Sequence, residues 1–171
     1  MTASEQLEKI NERTRELVTL QYNTYNRSLV PLMHQHGIVV IDAFEDLSES
    51  QAAFVDRYFE DNVYPVLTPM AVDASRPFPL IRNKTLNIAA LLSKKKGKAE
   101  KEEIEFATVQ VPSVLPRLVH IPSEDGNEKT FILLEQVIER NIDKLFLNYD
   151  VLCAYPYRVM RNADLSIDED E

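Results

Sequence analysis

The polar residues best suited to chemistry lie near the C-terminus, in the stretch YRVMRNADL, residues 157–165. Arg158 and Arg161 are three positions apart, and Asn162 follows directly. Arginine presents a planar fork of donors that suits bidentate contact with a phosphate. If the first half of this stretch is a strand, Arg158 and Arg161 point to opposite faces. Two interpretations stay open: these side chains contact phosphate, or the arginines pair with the chain's abundant carboxylates.

The three histidines are poor candidates for a nucleophile or a metal site. His34 and His36 are two positions apart, which on a helix places them about 200° apart around the axis. No acidic or cysteine residue lies beside them. His120, within LVHIP, has the pattern of an ordinary strand residue. We therefore predict no catalytic residue and no metal ligand in this sequence.

Three other stretches look reactive but have simpler structural interpretations. Cys153 has apolar neighbours in DVLCAY, so we predict a small buried hydrophobic residue. The acidic stretch DLSIDEDE, residues 164–171, lacks the spacing of a calcium-binding loop and is predicted to be a solvated charge run. The lysine run KKKGKAEK, residues 94–101, is predicted to be a hairpin tip, because no aromatic residue accompanies it to stack on bases.

Composition and charge exclude several classes of protein. The chain has 171 residues, which suits a single domain, and its three glycines are too few for a glycine-rich phosphate loop. One cysteine rules out an internal disulfide and suits a reducing cytoplasm. No apolar run reaches the roughly 20 residues of a membrane span. The net charge of −9 disfavours a stand-alone binder of nucleic acid or another polyanion, although it does not exclude a local basic patch.

The first 37 residues predict one long helix. Thr2 and Glu5 have the spacing of a capping box, and apolar residues recur every three or four positions to form a narrow stripe. Pro31 is expected to kink this helix or to start its last turn, and Gly37 to terminate it. Such a helix is either a brace for the domain or a connection from an upstream segment.

The rest of the chain mixes helices and strands without the rhythm of a parallel sheet. Ser48 and Gln51 predict the capped start of a second helix within residues 47–63. Strand patterns occur within residues 37–44, 85–93, 104–112, 115–122 and 151–160, and a short strand leading into a helix within residues 130–146. A turn is expected at Asp125 and Gly126. These patterns predict an α+β fold, a long N-terminal helix plus a mixed, mainly antiparallel sheet packed with helices.

A proline-rich apolar segment, which we call the strap, spans residues 64–81 with the sequence YPVLTPMAVDASRPFPLI. Proline fixes φ and removes a backbone donor, so the strap is neither a helix interior nor a central strand. A stiff segment loses less entropy on association, which suits an interface. The alternative is a loop that crosses the domain's own core. Leu67, Met70 and Phe78 are the side chains that we expect to reach a partner.

The order of motifs along the chain resembles one known family. LTPxAxD and PFP in the strap are followed by VPxxxPR at residues 111–117 and by RNADL at residues 161–165. Together, and over essentially the whole chain, they resemble the head, or middle, domain of bacterial polyphosphate kinases of the histidine-phosphorylating type. Each motif alone is weak evidence, but their combination and order are specific.

The resemblance implies an enzyme that reversibly transfers the terminal phosphate of ATP to polyphosphate, with magnesium and a phosphohistidine intermediate. The family's tunnel is built largely by two C-terminal catalytic domains, and a small N-terminal domain helps to hold adenine. Neither part is matched here, and His34, His36 and His120 do not match the family's nucleophile motif. Residues 1–171 are thus expected to form a single non-catalytic head domain, with residues 1–37 leading in from an N-terminal domain.

The same resemblance sets the expected partners. The head domain of the family serves dimerisation and docking, so we expect contact with the rest of the kinase chain and with a second copy. Arg158, Arg161 and Asn162 are expected to contact phosphate in the tunnel. This part alone is expected to bind no cofactor, whereas the full enzyme uses ATP, Mg²⁺ and polyphosphate. No nucleic acid or membrane is implied, and a cytoplasmic location is expected.

Two other functions fit the residues. The chain is alternatively a stand-alone acidic protein-interaction module without enzyme activity. A third hypothesis makes it a phosphate-binding enzyme that uses Arg158 and Arg161, which requires nucleotide or polyphosphate binding that alanine at either arginine abolishes. The gene sequence on both sides of this segment distinguishes the head domain of a kinase from the stand-alone interaction module.

Overall fold

The computed structural model describes residues 2–72, 78–94, 104–123 and 128–161. The expected turn at Asp125, the end of the lysine run, Asn162 and the acidic stretch lie outside these ranges. The α-helices are α1 (Ala3–Thr24), α2 (Val30–Gln35), α3 (Glu49–Tyr58) and α4 (Leu134–Arg140). The strands are β1 (Ile38–Ile41), β2 (Pro69–Val72), β3 (Leu86–Lys94), β4 (Ile104–Gln110), β5 (Leu118–Ile121), β6 (Lys129–Leu133) and β7 (Tyr149–Arg158).

The N-terminal helical segment begins with the predicted capping box. The Glu5 N–H donates to Thr2 Oγ1 at 3.2 Å, and the Thr2 N–H donates to the Glu5 carboxylate at 2.7 Å. A π-helical segment, Tyr25–Leu29, joins α1 to α2. Pro31 stands at the start of α2, where its missing N–H disturbs the regular α-helical hydrogen bonding. The helical segment ends at Gly37, whose φ of 69° is the left-handed value that glycine adopts most easily.

The contacts of the chain group it into two compact units, and the expectation of a single domain stays a prediction. One unit comprises Met1–Val40 and Pro122–Phe131, and the other Ile41–Ile121 and Ile132–Glu171. Strands β1, β6 and β5 form a three-stranded sheet in that order. The second unit contains a four-stranded sheet with the order β2-β4-β3-β7. All the pairings of this second sheet are antiparallel.

The core of the larger unit lies on one face of the four-stranded sheet. Ile88, Ala90 and Leu92 alternate along β3 and are almost fully buried, which is the period of two expected for a half-covered strand. Helices α3 and α4 supply the opposing apolar side chains, among them Val55, Phe59, Leu134, Val137 and Ile138. The α3 helix starts with the predicted Ser48–Gln51 capping box. The long N-terminal helix and the helix-packed antiparallel sheet confirm the α+β prediction.

Candidate functional site

The strap supplies an edge of the four-stranded sheet. Its first residues form a 3-10 turn, Tyr64–Val66, and Leu67 then packs against the hydrophobic core. Strand β2 follows at the edge of the described sheet and pairs with β4, with Pro69 opposite Val109. Proline is tolerated on an edge strand because no further strand requires its N–H. The strap is therefore anchored in the larger unit at two places, by Leu67 in the core and by the pairing of β2 with β4.

The face of the sheet that points away from the core is largely apolar, and we call it the outer face. Because directly opposite residues share a face, the register defines two rows of four side chains across the sheet. These rows are Met70–Thr108–Ala89–Tyr155 and Val72–Phe106–Leu91–Cys153. Two of the three strap residues expected at an interface, Met70 and Phe78, lie at this face, since the Phe78 ring contacts the Phe106 ring at a centroid distance of 5.6 Å.

Much of the outer face is accessible. Phe78 is 53% exposed and Tyr155 is 68% exposed, and Leu91 is also exposed. Large apolar side chains that remain exposed together on one sheet face are typical of a surface that another element covers. Within the described residues, nothing buries these three side chains.

A polar contact crosses the outer face above β3. The hydroxyls of Thr108 and Tyr157 are 2.7 Å apart, although β3 lies between their strands. The small Ala89, which is opposite Thr108 in the register, leaves room for the tyrosine ring to cross. Next to it Asn87 is 1% exposed, and its Oδ1 has no hydrogen-bond partner among the described residues.

Four cations meet where β3 begins and β7 ends, and we call Arg82, Lys84, Arg158 and Arg161 the basic end. Arg158 is opposite Leu86 in the register. The Lys84 N–H donates to the carbonyl of Val159 at 2.8 Å. The Arg161 N–H donates to Asn83 Oδ1 at 2.9 Å. These bonds bring two segments that are more than 70 residues apart in sequence into direct backbone contact.

Most members of the basic end are accessible, and no ion pair ties them to another described residue. Arg82, Lys84 and Arg158 are exposed and Arg161 is half-buried. Among the described residues, none of the four forms an ion pair. Strand β7 ends at Arg158, so strand alternation does not extend to Arg161. Sequence reasoning reached Arg158 and Arg161 but missed Arg82 and Lys84, because their proximity depends on the pairing of β3 with β7.

Two other arginines of the larger unit form ion pairs with carboxylates of the fold. Asp56 on α3 accepts two hydrogen bonds from Arg140 on α4, at 2.8 and 3.0 Å, and this guanidinium lowers the pKa of Asp56. The guanidinium of Arg117 donates hydrogen bonds from Nε and Nη2 to the carboxylate of the buried Glu135. The hydrogen bond to Glu135 raises the pKa of Arg117 further. These pairs hold α4 to α3 and to the segment before β5.

The histidines and the cysteine do not form a reaction centre. His34 and His36 are exposed at the end of α2, and His120 is exposed on β5, which confirms its strand position. Cys153 is only half-buried, on the outer face, and not fully buried as predicted. Across residues 2–72, 78–94, 104–123 and 128–161, no group of three His, Cys, Asp or Glu side chains is placed to hold a metal ion. No helix in these ranges is long and apolar enough to cross a membrane.

Comparison with known proteins identifies the family. Residues 50–171 match the family described as the polyphosphate kinase middle domain. Over its full length the chain is 48% identical to a polyphosphate kinase of Lactiplantibacillus plantarum and covers 23% of that protein. It is 45% identical, over 99% of its length, to a polyphosphate kinase of Halalkalibacterium halodurans and again covers 23% of the relative.

A solved structure agrees with the sequence relatives. The crystal structure of polyphosphate kinase from Porphyromonas gingivalis superposes with a TM-score of 0.78 at 27% identity. The match covers 96% of this chain and 26% of that one. The chain thus has the α+β fold of a polyphosphate kinase middle domain, and it belongs to this family. It spans about a quarter of the length of the two sequence relatives named above.

Proposed function

We propose that the chain acts as the non-catalytic middle domain of a polyphosphate kinase and that it serves dimerisation and domain docking. The kinase would reversibly transfer the terminal phosphate of ATP, with Mg²⁺, to polyphosphate through a phosphohistidine. Two findings support this role: the chain belongs to the family, and its relatives are about four times as long. ATP, Mg²⁺ and the reacting histidine are assigned to the remainder of the enzyme, which works in the cytoplasm.

The observation that carries the proposal is the accessible outer face. Met70 and Phe78 are fixed there by β2 and by the contact between the Phe78 and Phe106 rings. The prolines of the strap limit its freedom before association, so less conformational entropy is lost when a partner binds. We assign a second copy of this domain as the partner of the outer face. Leu67, which packs inward, would support the strap and contact that copy only through its exposed part.

The apolar stripe of α1 is assigned to a different contact. Leu7, Ile10, Leu17, Val18 and Tyr22 follow the helical period, and none of the residues of α1 is buried. A helix with an amphipathic face normally gains its stability by packing that face against another element. We propose that this stripe docks on the rest of the polyphosphate kinase chain.

The experiment that tests the dimer contact is the substitution Phe78→Asp in the whole enzyme. A charge at this half-exposed ring should weaken association by about 2 kcal/mol or more, because an interface must then bury an unpaired carboxylate. Light scattering measures the mass of the assembly, and gel electrophoresis measures the length of the polyphosphate product. We expect a smaller mass and a shorter product.

Val114→Asp is the matched control, since Val114 is also highly exposed but lies in the segment between β4 and β5, outside the strap. It should leave both readouts at the wild-type values. If Phe78→Asp leaves mass and product length unchanged, the assignment of the strap to dimerisation is wrong. If both variants dissociate the enzyme, the effect is one of surface charge and the outer face has no special role.

A further inference from the structure

The basic end has a surface charge opposite to that of the protein as a whole. The chain carries a formal net charge of −9, yet Arg82, Lys84, Arg158 and Arg161 are gathered on two segments in backbone contact. Neighbouring chains in such a contact are about 5 Å apart, which is within the Debye length of about 8 Å at physiological salt. Cations carried on segments this close contribute to one local positive field.

The backbone conformation of Lys84 is a second, independent observation that points to a binding role for this residue. Its φ of 62° is in the left-handed region, where glycine or asparagine costs less than lysine. The conformation is held by the turn that the Thr85 N–H closes on the Arg82 carbonyl and by the bond from the Lys84 N–H to Val159. A lysine kept in this conformation is a feature found at binding sites more often than elsewhere.

Side-chain hydrogen bonds also hold the two segments of the basic end in place. Asn83 uses its side-chain oxygen to accept the Arg161 N–H, and Thr85 Oγ1 donates to the Arg82 carbonyl at 2.9 Å. Both polar side chains between the cations are thus engaged with backbone. These hydrogen bonds hold the two segments together. The four charged side chains are then the groups that can contact a ligand.

The residues of the basic end favour inorganic phosphate over nucleic acid. Single-stranded nucleic acid is held by aromatic platforms as well as by charge. Residues 82–85 and 158–161 contain no aromatic side chain. The adjacent Tyr157 has its hydroxyl bonded to Thr108 on the outer face, whereas Arg158, one position further along the strand, belongs to the other face. The basic end therefore offers positive charge and planar guanidinium groups without a stacking surface, and these groups suit phosphate oxygens.

We propose that the basic end is a binding subsite for inorganic polyphosphate, in which Arg82, Lys84, Arg158 and Arg161 neutralise successive phosphates of one chain. This inference rests on the proposed function, since it takes its substrate class from the polyphosphate kinase family. It adds a place where the middle domain itself holds the polymer.

The test measures the dissociation constant of the 171-residue chain for fluorescently labelled polyphosphate of defined length, by anisotropy at several salt concentrations. The double variant Lys84→Asn/Arg158→Gln should bind at least about tenfold more weakly at low salt. The slope of the logarithm of affinity against the logarithm of salt should also fall by about 0.7 for each cation removed. Asparagine tolerates the left-handed conformation, so this variant retains the turn at position 84.

Two controls make the result specific. Lys9→Gln/Arg57→Gln removes the same charge from exposed helical positions that form no ion pair with another described residue, and it should bind like the wild type. Lys95→Gln/Lys96→Gln neutralises part of the lysine run. If the lysine-run variant loses affinity and the basic-end variant does not, the subsite is assigned to the wrong place. Circular dichroism of each variant shows whether the fold is retained.

Three further outcomes overturn the proposal. The chain does not bind polyphosphate at low salt, or both control variants weaken binding as much as the basic-end variant does, which indicates bulk charge alone. Equal affinity for a single-stranded oligonucleotide with the same number of phosphates would contradict the assignment to inorganic polyphosphate. Any of these outcomes leaves the dimerisation role intact if Phe78→Asp still dissociates the whole enzyme, so the two proposals fail separately.

Discussion

Glu139 on α4 and Asp56 on α3 show how the surroundings of a carboxylate decide its charge. Partial burial, with repulsion from the carboxylates of Glu135 and Glu45, raises the pKa of Glu139 from the ordinary value of 4.5 to about 7. Asp56 has the opposite shift, because the hydrogen bonds from Arg140 stabilise its ionised form and lower its pKa. Glu135 already shares its carboxylate with Arg117, so this guanidinium does not serve Glu139.

The raised pKa of Glu139 predicts a pH-dependent stability. Between about pH 4.5 and pH 7 the folded chain keeps a proton on Glu139 that the unfolded chain releases, so this residue's contribution to the free energy of unfolding falls as the pH rises. Glu139→Gln should remove this dependence and stabilise the fold at pH 8 by about 1 kcal/mol, a value reduced for solvent screening. Urea unfolding of both proteins at pH 5 and pH 8 measures the difference.

The control for this measurement is Glu12→Gln, which changes an exposed carboxylate on α1. It should shift the free energy of unfolding equally at both pH values. If Glu139→Gln also shifts it equally at both, Glu139 is ionised throughout this range and the interpretation of its surroundings is wrong.

At the scale of elements, local signals predicted the starts and ends of helices well. The capping boxes at Thr2 and Ser48 and the left-handed Gly37 were all predicted, because each depends on residues within one turn of the chain. The antiparallel pair β3 and β4 agrees with the two strand patterns that flank the predicted hairpin tip. The π-helical segment Tyr25–Leu29 was missed, since its hydrogen bonding differs from that of an α-helix without a distinct sequence pattern.

Contacts between distant segments were not predictable from the pattern. Alternation in β7 assigns Arg158 to a face, but it does not say that β3 is its neighbour or that Lys84 binds Val159. The register is fixed by the whole sheet, and a shift of one residue would reverse every assignment. In the same way, the stripe of α1 indicates an apolar face and gives no information about what covers it.

The exposure of α1 predicts a contrast in stability between two elements. Leu17→Ala on α1, where the side chain is 50% exposed, should change the free energy of unfolding by less than about 0.5 kcal/mol. Ile88→Ala in β3, where the side chain is fully buried, should cost about 3 kcal/mol, because it leaves a cavity in the core. Urea unfolding followed by circular dichroism compares the two variants with the wild type.

The Leu17 variant is measured at two protein concentrations, because self-association would cover the stripe. A cost of 2 kcal/mol or more for Leu17→Ala that does not depend on concentration would contradict the exposed position of the stripe. The same loss only at high concentration would show that the stripe mediates association between copies, and not docking on the rest of the chain.

At the scale of the whole molecule, charge is distributed unevenly. The chain is acidic overall, yet the four cations of the basic end lie together at one end of a sheet without an ion pair to another described residue, which suits a subsite for a polyanion. Phosphoryl transfer also requires a positioned nucleophile and several groups that neutralise the transferred phosphate together. His34 and His36 are exposed at the end of α2, and His120 is exposed on β5.

We therefore expect the 171-residue chain to bind polyphosphate without transferring phosphate. Incubation with radiolabelled ATP, Mg²⁺ and polyphosphate should give no labelled polymer, whereas the complete polyphosphate kinase of Lactiplantibacillus plantarum, as the positive control, should give it under the same conditions. Labelled polymer from this chain that Arg158→Ala or Arg161→Ala abolishes would make the chain an enzyme in its own right. Binding without transfer would instead place the middle domain beside the reaction, holding the polymer while the rest of the enzyme supplies the phosphohistidine.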